Sequence, residues 1–252
     1  EEELGQPLER LFTEFDPLPL AAASIGQVHR ATLPNGRRVV VKVQRPNAPR
    51  QIEADLVLMY QAARLAKERI RALDFIDANE IVDEFARSIR HELDYRLEAD
   101  ALDKFGRAWD GDPILRIPKV VRELSSARVL TMTRARGQTV VDVASGGSPD
   151  VRRQAALGLF RFAWGSPLAH GLLNADPNPG NFLIETLPDG GVHVWCLDFG
   201  CAVDVPDALR DADREIWYGL LDEDAVFSAE RFRMGLQGLG LLKRADRLAT
   251  TE

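Results

Sequence analysis

The 252-residue chain has little cysteine, no long apolar run and no excess of positive charge, and each absence excludes a class of protein. Its two cysteines, Cys196 and Cys201, cannot form a disulfide scaffold, so we expect a reducing compartment and a cytoplasmic protein. No stretch has the form of a signal peptide or is apolar for long enough to span a membrane. The net charge of −7 argues against a nucleic-acid partner.

The remaining composition is that of an ordinary globular protein. Apolar residues make up 45% of the chain and charged residues 28%. The length suffices for one two-lobed domain or for two small domains. Because the chain starts with three glutamates and ends in a polar tail, we expect it to be a fragment of a longer protein.

Residues 170–202 contain the most informative pattern. Asp176 precedes Asn181 by five positions, and a turn at 187–191 and an apolar run lead to the sequence Asp-Phe-Gly at 198–200. This spacing is typical of the catalytic loop and metal-binding turn of kinases. In that arrangement Asp176 orients or deprotonates an attacking hydroxyl, while Asn181 and Asp198 hold Mg²⁺ against the nucleotide phosphates. The alternative interpretation is a surface loop with a Pro/Asn/Gly turn.

An alanine-rich stretch stands where a kinase has its glycine-rich nucleotide loop. Two of the three glycines of the kinase pattern G-x-G-x-x-G-x-V are replaced by Ala21 and Ala23. Alanine disfavours positive φ, so this loop should hold a nucleotide differently. The alternative is an alanine-rich strand or helix start. The nucleotide-binding residues predicted here are Ala21, Ala22, Ala23, Ser24, Ile25, Gly26 and Val28.

A hairpin signal follows, with strands at 28–33 and 38–44 around a Pro-Asn-Gly turn. Lys42 lies within a valine run, at the position of the kinase lysine that contacts the α- and β-phosphates. A buried ammonium group needs a charged partner. Taken alone, however, Lys42 could also be an outward-facing strand residue.

Residues 50–72 and 78–106 are predicted to form two helices that would supply that partner. In the second, an i+4 stripe predicts a face packed in the core; its members are Ile81, Phe85, Ile89, Leu93 and Leu97. The other side carries Glu92, Asp94 and Glu98, of which the last two lie about 40° apart around a helix. Glu98 is the first candidate for the partner of Lys42, and Glu92 the second.

The other segments complete a two-lobed kinase-like α+β fold. We expect an N-lobe at 1–131, an antiparallel sheet with inserted helices, and a mostly helical C-lobe at 132–252. The hinge would follow a strand at 128–133, so that backbone groups from Met132 to Arg134 meet the adenine. The remaining predictions are an amphipathic helix within 1–18, a strand at 117–124, a flexible loop within 136–149, and helices at 150–164 (with Asp150 as N-cap), 211–221 and 228–242.

Together, the motifs PLAAASIGQVHRA, VVVKVQRP, HELDYRLEA, NADPNPGN and LDFG resemble the UbiB (AarF-domain) atypical kinase-like proteins. That family is linked to isoprenoid quinone biosynthesis and lipid homeostasis. The resemblance implies ATP or ADP with Mg²⁺ or Mn²⁺ as cofactors. It also implies a lipid or isoprenoid quinone precursor as a partner and, for the full-length protein, contact with a membrane surface or a biosynthetic complex. The residues that it assigns are Lys42, Glu98, Asp176, Asn181 and Asp198, with Glu92 and Asp94 as the family's E-x-D pair.

Three departures from the family pattern bear on activity. The family's catalytic loop carries two histidines where this chain has Asn174 and Asn178, which can replace hydrogen bonds but not protonation. The chain also lacks the family's N-terminal K-x-G-Q element, which is thought to restrict access of protein substrates, and the hydrophobic C-terminal helices of many members. We therefore retain three hypotheses about function: an ATPase or phosphotransferase, a nucleotide-binding pseudokinase scaffold, and a small-molecule phosphotransferase of the aminoglycoside or choline kinase kind.

Overall fold

A computed structural model describes residues 1–69 and 78–241. The strands are β1 (Glu14–Phe15), β2 (Ala21–Ala22), β3 (Gly26–Thr32), β4 (Arg38–Gln44), β5 (Leu115–Arg116), β6 (Val129–Thr133), β7 (Gln138–Thr139), β8 (Leu172–Asn174), β9 (Phe182–Thr186), β10 (Val192–Cys196) and β11 (Ala202–Asp204). The helices are α1 (Leu8–Leu11), α2 (Ala48–Arg69), α3 (Ala78–Glu92), α4 (Tyr95–Ala108), α5 (Val140–Gly146), α6 (Pro149–Phe160), α7 (Asp207–Leu221) and α8 (Ala225–Gly238). The predicted ends at 70–72 and at Leu242 lie outside the described residues.

The N-lobe is built on an antiparallel sheet in the order β1-β3-β4-β6, with β2 paired to β3. Alternation along β4 gives the sheet two different faces. Val39 and Val41 pack on one side with Leu11 and Phe12, whereas Val40 and Lys42 line a cleft on the other. The predicted hairpin is therefore present, and the side chains of its valine run alternate between the two faces of the sheet.

The predicted helix at 78–106 is two helices, and its apolar stripe is largely exposed. The two helices are separated at Asp94, which caps α4: its side chain accepts a hydrogen bond from the backbone N–H of Arg96. Ile81 and Phe85 are 61% and 47% exposed, and Val82 is buried instead. The predicted core face was wrong there because α3 packs against α2 and buries Val82 and Ala86, each one position beyond a member of the stripe. Of the remaining members, Ile89 and Leu93 are half-buried and Leu97 is exposed.

Three further segments differ from their predictions. Only residues 8–11 of the predicted N-terminal helix are helical, because the chain turns at Phe12 to add β1 to the sheet edge. The predicted strand at 117–124 is a single bridge, Val120 to Met132, followed by a 3₁₀ turn. The predicted flexible loop contains α5, which Thr139 and Asp142 stabilise with a reciprocal capping box.

The C-lobe combines helices with two small sheets, β5-β10-β9-β7 and β8-β11. Helix α6 is capped by Ser148 rather than by Asp150, and it continues as a ten-residue π-helical segment, Arg161–His170. Phe199 is buried between the lobes, with its ring centroid 4.7 Å from that of Phe105. The core therefore fixes the segment that carries Asp198.

Candidate active site

A cleft of about 420 Å³ separates the two lobes. It is lined by residues from the alanine-rich loop, β4, the α3–α4 junction, the hinge and the catalytic loop. The predicted site residues on its wall are Ala21, Ala22, Ala23, Ser24, Ile25, Val28, Lys42, Glu92, Asp94, Glu98, Met132, Arg134, Asp176, Asn181 and Asp198. Gly26 does not line the wall; it is the first residue of β3, directly after the alanine-rich loop.

Lys42 forms a buried ion pair at the inner end of the cleft. Its Nζ donates to both carboxylate oxygens of Glu98, at 3.0 and 2.8 Å, and to Oδ2 of Asp198 at 3.3 Å. Burial lowers the pKa of Lys42, but the charges of Glu98 and Asp198 outweigh it and hold that pKa above its ordinary value. The ammonium group is therefore charged and sits between a buried carboxylate and a more exposed one.

Tyr95 is a cleft residue that the sequence analysis did not single out. Nζ of Lys42 lies 5.1 Å from the centroid of its ring, a cation–π contact. Burial raises the pKa of Tyr95 to about 12. Tyr95 lies three positions before Glu98, and this helical spacing, which puts both residues on one face, was the signal that could have identified it.

The catalytic loop is held by side-chain hydrogen bonds. Nδ2 of Asn181 donates to Oδ2 of Asp176 at 2.9 Å, and the backbone N–H of Leu197 donates to the carbonyl of Asn181 at 2.9 Å. Asp198 accepts a hydrogen bond from the backbone N–H of Gly200 at 2.9 Å. The three residues of the predicted kinase pattern thus meet at one side of the cleft.

The two asparagines that replace the family's histidines both bond to the backbone. Asn174 donates to the carbonyl of Asp198 at 2.8 Å and accepts from the N–H of Asp176 at 3.2 Å. Asn178 accepts from the N–H of Gly180 at 2.9 Å. Both therefore act as supports of the loop.

The alanine-rich loop is a tight turn between β2 and β3. The N–H of Ala23 donates to the carbonyl of Gly26 at 3.1 Å, and the N–H of Gly26 donates back at 3.4 Å. Among the described residues no position other than glycine has positive φ, so the alanines are unstrained. Gly26 is required for space, since a Cβ there would lie 2.5 Å from the carbonyl oxygen of Val43. Two amides of the loop are thus used within the loop itself.

The loop tip is also tied to the end of α3. The hydroxyl of Ser24 donates to Oε2 of Glu92 at 3.3 Å. Asp94, the other member of the E-x-D pair, pairs with Arg96 at 2.6 Å while it caps α4. Glu98 rather than Glu92 contacts Lys42, and Glu92 contacts the loop.

The outer end of the cleft is apolar and suits an adenine base. Val28, Val40 and Met132 line its roof, and Leu183 of β9 lies on its wall. The amides of Thr133 and Arg134 donate to the carbonyls of Lys119 and Arg38. The hinge therefore offers fewer free N–H groups than the sequence suggested. Leu183 was not predicted, and the strand after the catalytic loop was the available signal for it.

The oxygen donors of the cleft suit Mg²⁺. Asn181 uses its Nδ2 on Asp176, which leaves its amide oxygen for a cation, and the carboxylate of Asp198 is 40% exposed. Among residues 1–69 and 78–241 no three carboxylate, histidine or cysteine side chains form a metal site by themselves. The carboxylate of Asp198 and the amide oxygen of Asn181 fit Mg²⁺, which is usually held by one or two carboxylates together with substrate phosphates.

The comparison with protein families agrees with this geometry. Residues 1–230 match the model of the ABC1 atypical kinase-like domain. The chain belongs to the ABC1 atypical kinase-like family. The two-lobed α+β architecture is accordingly the kinase-like fold that the sequence predicts. No helix in the described part of this ABC1 chain is long and apolar enough to cross a membrane.

Relatives of the ABC1 chain occur in bacteria and plants. An uncharacterized aarF domain-containing protein kinase of the Arabidopsis thaliana chloroplast is 36% identical over 100% of this chain and 34% of its own length. The probable protein kinase UbiB of Marinobacter nauticus is 34% identical over 79% of this chain and 37% of its own length. The chain thus spans about a third of the length of these relatives.

A solved structure shares the fold. Rv3197 of Mycobacterium tuberculosis, determined in complex with erythromycin, aligns with a TM-score of 0.69 and 32% identity. The alignment covers 87% of this chain and 56% of Rv3197.

Proposed function

We propose that this chain binds ATP or ADP with Mg²⁺ in the cleft, and that it either hydrolyses ATP or transfers its γ-phosphoryl group to a small or lipid-like molecule. The observation that supports this most strongly is the double contact of Lys42. Its ammonium group meets Glu98 at 2.8 Å and Asp198 at 3.3 Å. In kinases this arrangement orients the nucleotide phosphates beside the metal ligand.

Each residue has a distinct task in this proposal. Lys42 contacts the α- and β-phosphates, and Glu98 fixes the position of Lys42. Asp176 orients the attacking hydroxyl or water and accepts its proton. Asn181 and Asp198 would hold Mg²⁺, which offsets the charge of the phosphates when it is bound.

The proposed acceptor follows from the resemblance of the motifs to UbiB proteins and from the UbiB name of one relative. We infer a lipid or isoprenoid quinone precursor, and a role in isoprenoid quinone biosynthesis or lipid homeostasis. Contact of the full-length protein with a membrane surface or a biosynthetic complex belongs to the same proposal.

A pseudokinase scaffold is the second candidate, because Ala23 and Gly26 use their amides within the loop. Fewer backbone donors then remain for the γ-phosphate. The asparagines do not favour this candidate, since Asn174 and Asn178 support the loop through hydrogen bonds.

Nucleotide binding and turnover should be measured separately, by thermal shift with MgATP or MgADP and by phosphate release. Binding raises the melting temperature by mass action whether or not chemistry occurs. We expect both signals in the wild type, and only the thermal shift in Asp176→Asn. A thermal shift with neither phosphate release nor transfer of the γ-phosphoryl group to added lipid in the wild type would favour the scaffold. No shift with either nucleotide would contradict the proposal.

A further inference from the structure

Arginines lie on the roof side of the N-lobe sheet and at the hinge, next to the apolar part of the cleft. In the β3–β4 pair, Arg30 lies opposite Val40, and Arg38 lies at the next position of the same face. Paired residues project to one side of a sheet, so both arginines share the face of Val40 and Lys42, which line the cleft. The backbone N–H of Arg134 donates to the carbonyl of Arg38 at 3.2 Å, and Arg134 itself lines the cleft. Arg136 follows two positions later.

The charge of these arginines is only partly neutralised. Arg30 contacts Asp16 at 3.6 Å, but Arg38, Arg134 and Arg136 form no ion pair with any residue in 1–69 or 78–241. Glu14, on the neighbouring strand β1, accepts a hydrogen bond from Thr32. Burial, and then the charges of Arg30, Arg38 and Arg136, lower the pKa of Arg134. The cluster is therefore a local concentration of positive charge in a chain with a net charge of −7.

The cluster is separate from the phosphate-contacting end of the cleft. Arg38 precedes Lys42 by four residues on the same strand, which places their Cα atoms roughly 13 Å apart. The apolar side chain of Val40 lies between these two positions on the same face of the strand. A nucleotide phosphate at Lys42 would therefore leave the arginines available.

We propose that Arg30, Arg38, Arg134 and Arg136 form a second anion site, which binds a phosphate group at the outer end of the cleft. Guanidinium groups present planar pairs of N–H donors that match phosphate oxygens, so arginines are well suited to bind a phosphate group. The phosphate is carried either by a soluble compound or by a lipid headgroup. The site does not depend on turnover at Lys42.

The test compares two double variants that change the net charge equally. Arg38→Gln/Arg136→Gln removes two exposed members of the cluster, and Arg152→Gln/Arg153→Gln removes two exposed arginines of α6. The soluble probe is pyrophosphate, titrated calorimetrically at low salt. The lipid probe is co-sedimentation with phosphatidylcholine vesicles, with and without phosphatidylglycerol.

We expect the cluster variant to lose about tenfold or more in affinity for at least one probe, because it removes two guanidinium groups that form charge-assisted hydrogen bonds with a phosphate. The α6 variant should retain wild-type affinity. Loss for pyrophosphate alone would identify a soluble phosphate compound, and loss for phosphatidylglycerol vesicles a lipid headgroup.

Two results would overturn the proposal: binding that both variants weaken equally, and absence of binding to either probe. Arg38→Lys gives a further check on the guanidinium fork. It keeps the charge but removes the planar pair of donors, so it should bind more weakly than the wild type and more tightly than Arg38→Gln.

Discussion

Replacing Glu98 by glutamine tests the buried ion pair most sharply. The side chains of Lys42 and Glu98 are 9% and 4% exposed, so the charge of Lys42 depends on its carboxylate partners. Removing one partner of a buried pair costs about 3–5 kcal/mol. Glutamine keeps the volume and one acceptor, and Asp198 remains at 3.3 Å. We therefore expect a smaller loss in the free energy of unfolding, of about 1–3 kcal/mol.

The assay is urea unfolding of the wild type, Glu98→Gln and a control, Glu53→Gln. Glu53 forms an ion pair with Arg90 at 2.8 Å, but both side chains are about half exposed, so the control should unfold like the wild type. Without Glu98, Lys42 should turn to Asp198, and phosphate release should then require more Mg²⁺. Equal urea midpoints for all three proteins would refute a stabilising role of the buried pair.

Two further predictions concern the residues around that pair. Gly26→Ala should lower the free energy of unfolding by about 1–3 kcal/mol, because the added Cβ would lie 2.5 Å from the carbonyl oxygen of Val43. The control is Gly106→Ala in helix α4, where an added Cβ meets no atom within 4 Å. This control should raise the free energy of unfolding by about 0.5–1 kcal/mol, because alanine has the higher helix propensity. Equal urea midpoints for both variants would contradict the crowding at Gly26. The phenol of Tyr95 has a pKa raised to about 12, so its contribution to stability is present below pH 10 and is lost as the pH rises towards 12. Ultraviolet titration should show a tyrosine ionisation near pH 12 that is absent in Tyr95→Phe, and a transition near pH 12 that this substitution leaves unchanged would contradict the assignment.

Much of the site could be predicted because kinase chemistry fixes both residue type and spacing. Asp176, Asn181 and Asp198 lie in one short segment, so their proximity needs little tertiary information. Lys42 was identifiable because a lysine in a valine run requires a buried partner. The kinase fold requires a helix glutamate beside the strand lysine, which favours Glu98 over Glu92. In the structure Glu98 contacts Lys42.

The remaining features depend on contacts that sequence periodicity does not report. Asp94 can continue a helix or cap one, and only its bond to the amide of Arg96 decides between them. The periodicity of α3 likewise does not report which face meets α2, and the buried residues are Val82 and Ala86 rather than Ile81 and Phe85. The internal bonds of the alanine-rich loop depend on the pairing of β2 with β3, and the pair of arginines on β3 and β4 depends on strand register.

We propose that Asp198 holds the metal required for turnover. Phosphate release from ATP should be measured over a range of Mg²⁺ concentrations for the wild type and Asp198→Asn, with thermal unfolding of both proteins as a check on folding. We expect Mg²⁺-dependent release in the wild type and none in Asp198→Asn, whose folded structure should persist because Asn can still accept from Gly200. Equal release by the two proteins would contradict the proposed mechanism.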